Sequence, residues 1–139
     1  MHILICAVDD QQYAFDLSAV ERAILAIETI PVPHAPKHVL GAINVHGRVI
    51  PVISVRELLG LPEKEIDIND HFVICRVGNQ EAALWVDKVQ MVLTCHADKL
   101  IPGREIMPHL NTVRYAFKEA DTVTLILDLD VLIPGFVTV

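Results

Sequence analysis

The sequence predicts a mainly β protein, all-β in class, with short strands joined by tight turns and a few single-turn helices. Three observations lead there. Runs of β-branched and apolar residues bounded by Gly, Pro, Asn and Asp recur along the chain, giving about nine or ten strands. Apolar residues make up 53% of the 139 positions while aromatics make up 5%, so the core is chiefly Val, Ile, Leu and Ala. That palette suits sheets packed in layers or closed into barrels. Turn signals come at close intervals with no solenoid-length repeat and no low-complexity tract, the pattern of a barrel or sandwich.

Residues 3–8 read as the first strand, Asp9-Asp10 as a turn and residues 13–16 as the return strand. Ser18 and Glu21 have the spacing of a capping box, leading into Val20, Ala23, Ile24 and Ile27. Those positions fit one face of a helix. They fit equally a single helical turn giving way to a strand through Ile30, and periodicity does not separate the two. Pro31, Pro33 and Pro36 end whichever forms, and residues 35–39 have room for one helical turn.

The best-punctuated stretch is 41–61, G-A-I-N-V-H-G-R-V-I-P-V-I-S-V-R-E-L-L-G-L. Residues 42–45 and 49–55 are strands joined at His46-Gly47. Gly47 can take φ > 0, as a two-residue hairpin requires, and the Asn44 side chain can bond nearby backbone. Pro51 lacks an N–H, which puts its strand at an edge or a bend. Ser54 and Glu57 form a second capping box, the serine oxygen accepting from the Glu57 N–H and the glutamate from the serine N–H. The helix they start runs through Leu58 and Leu59 and stops at Gly60, with Pro62 beyond.

Residues 63–70 are a charged loop, residues 71–77 a strand and Gly78-Asn79 a turn. Residues 82–95 are one long strand or a bent pair. Asp98 is placed to cap a turn over 99–101, Pro102-Gly103 breaks the chain, and 105–110 is irregular. A last hairpin joins 112–117 to 122–127, and Asp128 opens a short helix through Ile133, stopped by Pro134-Gly135.

Chemistry is sparse. The formal charge of −7, from 18 acidic and 11 basic residues, argues against nucleic-acid binding, which needs clustered Lys and Arg. Residues 3–8 are too short for a signal-peptide core, and no stretch approaches the roughly eighteen apolar residues of a membrane span, so neither secretion nor membrane insertion is expected. Cys6, Cys75 and Cys95 read as buried thiols in a reducing cytoplasm. The six glycines form no phosphate cradle. His34 and His38 are interrupted by Pro36, and Asp67, Asn69 and Asp70 lack the rest of a calcium loop, so no metal and no cofactor is expected. Asp128 and Asp130 suit a helix N-terminus better than acid–base work. Asp87, in W-V-D-K-V, is either an outward residue of ordinary alternation or part of an interaction surface, and Trp85 beside it is core or anchor. No enzyme is legible here.

The motifs together resemble the CheW-like domain family. The resemblance starts at Y-A-F-D-L (Tyr13 to Leu17) and Val20 and passes through P-V-P-H-A-P. The 41–61 segment is similar to the family's G-x-x-N-x-R-G-x-x-x-P-x-x-D-L, W-V-D-K-V resembles its V-D-x-V, and L-I-L-D-L-D-V-L-I closes the match. It implies one domain over 1–139 made of two intertwined, packed five-stranded SH3-like barrels with an apolar seam. It also implies a cytoplasmic, non-enzymatic adaptor that bridges the cytoplasmic tip of chemoreceptors to the regulatory domain of a CheA-type histidine kinase in chemotaxis. By position, the receptor-facing groove would involve Val20, Gly41, Asn44, His46, Gly47, Val86 and Val89; the resemblance assigns no kinase-contact residues. His46 stands where the family pattern has arginine, Ser54 where it has aspartate, and Arg22 where an acidic residue is frequent. A histidine is mostly neutral at pH 7, so a carboxylate contact there would strengthen toward pH 6. These departures leave open an adaptor of a surface-motility or developmental pathway, and outside the family a small β-barrel ligand-binding protein.

Overall fold

The computed structural model describes residues 1–133, and its strands fall into two sheets. In chain order these are β1 (His2–Val8), β2 (Gln11–Asp16), β3 (Val20–Leu25), β4 (Val39–Val45), β5 (Arg48–Ser54), helix α1 (Val55–Leu59), β6 (His71–Val77) and β7 (Gln80–Val86). Then follow β8 (Lys88–Thr94), β9 (Ile101–Pro102), α2 (Gly103–Ile106), β10 (Val113–Glu119), β11 (Thr122–Leu127) and α3 (Leu129–Leu132). The first sheet has six strands in the order β8-β1-β2-β11-β10-β9, and the second five in the order β3-β6-β7-β5-β4.

One plan is used twice. An antiparallel hairpin (β1–β2 or β6–β7) carries an antiparallel strand on one side, β8 or β3. On its other side lies a parallel strand, β11 or β5, which hairpins with β10 or β4. The expected five-stranded pattern is therefore present in both halves, with one correction: the two-residue β9 makes the first sheet six-stranded. The chain lays down β1 and β2, builds the whole second sheet, and returns for β8 to β11.

Alternation decides the layers. In β1, Leu4, Cys6 and Val8 face one apolar cluster while Ile3 and Ile5 face another; in β7, Ala82, Leu84 and Val86 share the first cluster while Ala83 and Trp85 face a third. Side chains alternate across a strand, so a central strand with both faces buried reads as a continuous apolar run. The cluster shared by both sheets is the seam between them. The other two lie inside each sheet, and strands four places apart meet there: Leu93 of β8 with Phe117 of β10, and Ile24 of β3 with Ile43 of β4. Each sheet must curl to bring such strands together. In the second sheet the curl ends in backbone hydrogen bonds between Ile30 and Ala42, at 2.7 and 2.8 Å.

Several local expectations hold and several shift. The hairpin loop is His46-Gly47, with φ of 51° and 84°, and the Gly47 N–H donates to Asn44 Oδ1 at 2.9 Å. Ser54 caps α1 by accepting from the Glu57 N–H at 3.1 Å, and Gly60 ends it in a left-handed conformation. The reciprocal half of that box does not form. Ser54 is still the last residue of β5 and its N–H donates to the His38 carbonyl at 2.7 Å, leaving Glu57 to face Lys37. The 18–30 segment is closer to the second of its two readings, a 3₁₀ turn (Leu17–Ala19) followed by β3, but the strand ends at Leu25 and Ile30 makes only an isolated bridge to Ala42. Asp16, not Ser18, caps that turn, because Ser18 lies inside it and Glu21 already belongs to β3, where its carboxylate accepts from Arg76.

The 82–95 segment is a bent pair whose halves belong to different sheets. Residues 36–39 make a turn, not a helix. A 3₁₀ turn at Ala97–Lys99 replaces the one expected at 99–101, and Asp98 lies inside it without capping. The 105–110 stretch expected as irregular overlaps α2. Pro134-Gly135 lies outside the described residues.

Candidate docking surface

Two strands leave one edge unpaired at the seam. Among the described residues, β3 bonds only to β6 and β8 only to β1. Register shows which side chains these edges present. Val20 lies opposite Cys75, Ala23 opposite Val73, Val89 opposite Cys6 and Val92 opposite Leu4, and all four partners belong to the shared cluster. Directly opposed residues point to the same face. The edges therefore carry an apolar strip: Val20, Ala23 and Leu25 from β3, Val89 and Val92 from β8. Val20 and Val89 are half-buried against the shared core, whereas Leu25 is 60% and Val92 55% exposed. Between them the floor is uncharged. Burial pushes the Cys6 and Cys75 thiols up to about 12, which keeps both neutral and unreactive at physiological pH.

The seven residues singled out in the sequence are distributed around this seam unequally. Val20 and Val89 stand on its rims. Val86 is 1% exposed in the shared core, where it forms part of the floor. Asn44, His46 and Gly47 form the exposed tip of the β4–β5 hairpin. A closed ring of charges ties that tip to the start of β3. Arg76 reaches Glu21 at 2.7 Å and Glu81 at 3.1 Å, and Arg48 reaches Glu81 at 2.9 Å and Glu21 at 3.7 Å. The Arg76 hydrogen bond holds the Glu21 carboxyl below its usual range.

Gly41 lies where the second sheet closes on itself. A Cβ there would sit 2.7 Å from the Ile30 carbonyl oxygen, and its φ is 147°. The residue is glycine because the second sheet closes on it, and its own surface is taken by that contact.

Sequence reasoning missed Ala23 and Leu25, because the helical reading of 18–30 hid their alternation and a register shift at Val20/Arg22 breaks it, and it missed Val92, whose facing depends on the β1–β8 register with its shift at Ile5/Cys6. It also missed Arg56 and the role of Asp87. Asp87 is not one more position in a strand's alternation, and its side chain is 23% exposed. It forms the one-residue crossover from β7 to β8, with its N–H donating to the Ala7 carbonyl at 3.0 Å. Burial raises its carboxyl pKa, but the Asp9 N–H and the Arg56 guanidinium outweigh that and hold it below the usual carboxylate range. Trp85 is core: its ring lies in the inner cluster of the second sheet and its Nε1–H donates to Asp70 Oδ2 at 2.8 Å. Among the described residues no group of three or more His, Cys, Asp or Glu is placed to hold a metal, and no helix is long and apolar enough to cross a membrane.

The apolar strip between the two strand edges belongs to a chain with several chemotaxis relatives. The chain is 31% identical over 101 residues to the chemotaxis protein CheW of Rhizobium meliloti, a match covering 73% of this chain and 61% of that protein. It is 32% identical over 98 residues to the chemotaxis protein CheW of Thermotoga maritima, covering 70% and 64%. The chain thus spans less than two thirds of the length of these two relatives. The scaffolding protein TtCheW from Thermoanaerobacter tengcongensis shares the fold, with a TM-score of 0.84 over 92% of this chain and 84% of that one, at 22% identity. The family is one of adaptors and scaffolds, not enzymes. A family model described as CheW-like domain matches residues 2–135, and the chain belongs to that family.

Proposed function

We propose that this chain is a cytoplasmic chemotaxis adaptor that couples chemoreceptors to a CheA-type histidine kinase, with the seam receiving the helical tip of the receptor. The observation that carries this reading is the apolar strip of Val20, Ala23, Leu25, Val89 and Val92 along two unpaired edges, over a floor of buried Val86 and neutral thiols. A helix presents apolar residues as a stripe and docks into such a channel without needing backbone partners. The exposed Asn44-x-His46-Gly47 tip, joined to β3 through the Glu21–Arg48 pair, stands at one end as the polar part of the same surface. Family membership favours this over a small-molecule binder.

The test is calorimetric titration of the chain against a receptor cytoplasmic-tip fragment and against the kinase regulatory domain from the same organism. Binding in roughly the micromolar range to both is expected. Val89→Glu places a charge in the strip and should weaken tip binding by roughly a hundredfold or more, the scale of a central interface residue. Absence of binding to either partner would overturn the adaptor reading. Full tip binding by a folded Val89→Glu variant would remove the seam from it.

A further inference from the structure

The chain passes from the second sheet to the first through a single residue, Asp87, between Val86 on the floor and the start of β8, whose second residue is Val89 on the rim. Such a short connection sets the direction in which both neighbours leave it. The Asp87 carboxylate is held loosely by Lys64, whose Nζ lies 3.4 Å from Oδ1, and chiefly by Arg56, in α1 of the second-sheet half, with a side chain only 4% exposed. Its Nη2 donates to both Asp87 carboxylate oxygens at 3.1 Å and to Asp9 Oδ1, and its Nη1 donates to the Pro62 carbonyl at 3.2 Å. The Asp9 N–H in turn donates to Asp87 Oδ2 at 2.7 Å. Helix α1, the β1–β2 turn and the crossover thus meet at one guanidinium. A planar fork of donors fixes several acceptors relative to one another, which a lysine ammonium does not. Buried ion pairs contribute little net stability against well-packed apolar groups, so the consequence of this one lies in geometry.

We infer that Arg56 is a positioning residue for the seam: by gripping Asp87 and Asp9 together it fixes the crossover that turns Val86 to the floor and Val89 to the rim. The binding consequence rests on the docking reading above; the geometric one does not.

Arg56→Lys, Asp87→Asn and the double variant separate the two. Each is measured for thermal midpoint, for amide exchange and chemical shifts over residues 86–92, and for affinity to the receptor-tip fragment. Expected are folded single variants with faster exchange and shifted resonances at Val86 and Val89, and tip affinity lower by roughly tenfold. The double variant should lose no more than the worse single, as for groups acting through one contact. Unchanged shifts and exchange at Val86 and Val89 in both singles would overturn the inference, and so would additive losses in the double. Tip binding absent even in the wild-type chain, with exchange responding as expected, defeats the docking reading and leaves the positioning role standing. If Arg56→Lys does not fold, Asp87→Asn and Asp9→Asn give the same comparison, Asp9 being the more exposed partner.

Discussion

Trp85 is the chain's one tryptophan, and its two ends belong to different environments. The ring packs with Phe72, Ile43 and Val52 in the dry interior of the second sheet, while Nε1–H reaches the buried Asp70 carboxylate. Asp70 also accepts from the Asp67 N–H at 2.9 Å and pairs with Lys64 at 3.4 Å. Buried acceptors are costly to leave short of donors, and the tryptophan supplies one that phenylalanine lacks. Trp85→Phe should therefore destabilise by about 1–3 kcal/mol although ring burial is largely preserved. Equilibrium urea unfolding checks it, and an unchanged midpoint would show that Lys64 and the backbone suffice for Asp70.

At the scale of elements, β4 shows why a strand that reads as a presented surface is partly committed to closure. At its hairpin end Asn44, His46 and Gly47 are exposed, but Ala42 within it is bonded to Ile30 so that the second sheet closes on itself. Gly41 sits at that joint. Gly41→Ala must accommodate a Cβ 2.7 Å from a carbonyl oxygen at a φ that L side chains rarely adopt. A loss of about 1–3 kcal/mol is expected from the backbone conformation alone. It should appear as a lower denaturant midpoint with faster amide exchange at Ile30 and Ala42. Reduced partner binding in this variant would then report a loosened second sheet, whereas a stable Gly41→Ala with lost binding would place Gly41 on the contact surface after all.

The whole molecule is held as two interleaved sheets by an apolar seam and, at the crossover, by the Arg56–Asp9–Asp87 cluster. Asp87 has a folded-state pKa below its ordinary value near 3.9. Its contribution to stability is therefore fully present above that value and is lost as the pH falls through its folded pKa. Stability should be flat in this respect from pH 7 down to about 5 and should decline below about 4. Asp87→Asn should show a shallower decline over the same acidic range, measured as urea midpoints at pH 7 and pH 3. Equal slopes in the two proteins would mean that the cluster is not tighter in the folded state than in the unfolded chain.

The sequence by itself determined the β class, the hairpin at His46-Gly47, the Ser54 cap with its Gly60 stop and the burial of the thiols. Each of these depends on residues within a few positions of one another, so local chemistry suffices. It also carried the family resemblance, through a run of motifs in order. Tertiary structure decided the rest. Residues 17–25 became a turn and a strand because β6 offered β3 a partner, which puts Glu21 in the strand beside Arg76 and not in a capping box. Asp87 became a crossover, not one position in an alternation, because Asp9 and Arg56, 78 and 31 residues away along the chain, converge on it. Gly41 was set by the carbonyl of Ile30, and the rim residues Leu25 and Val92 by cross-strand register. Those outcomes depend on which segments meet, and a single sequence read locally does not encode the pairing.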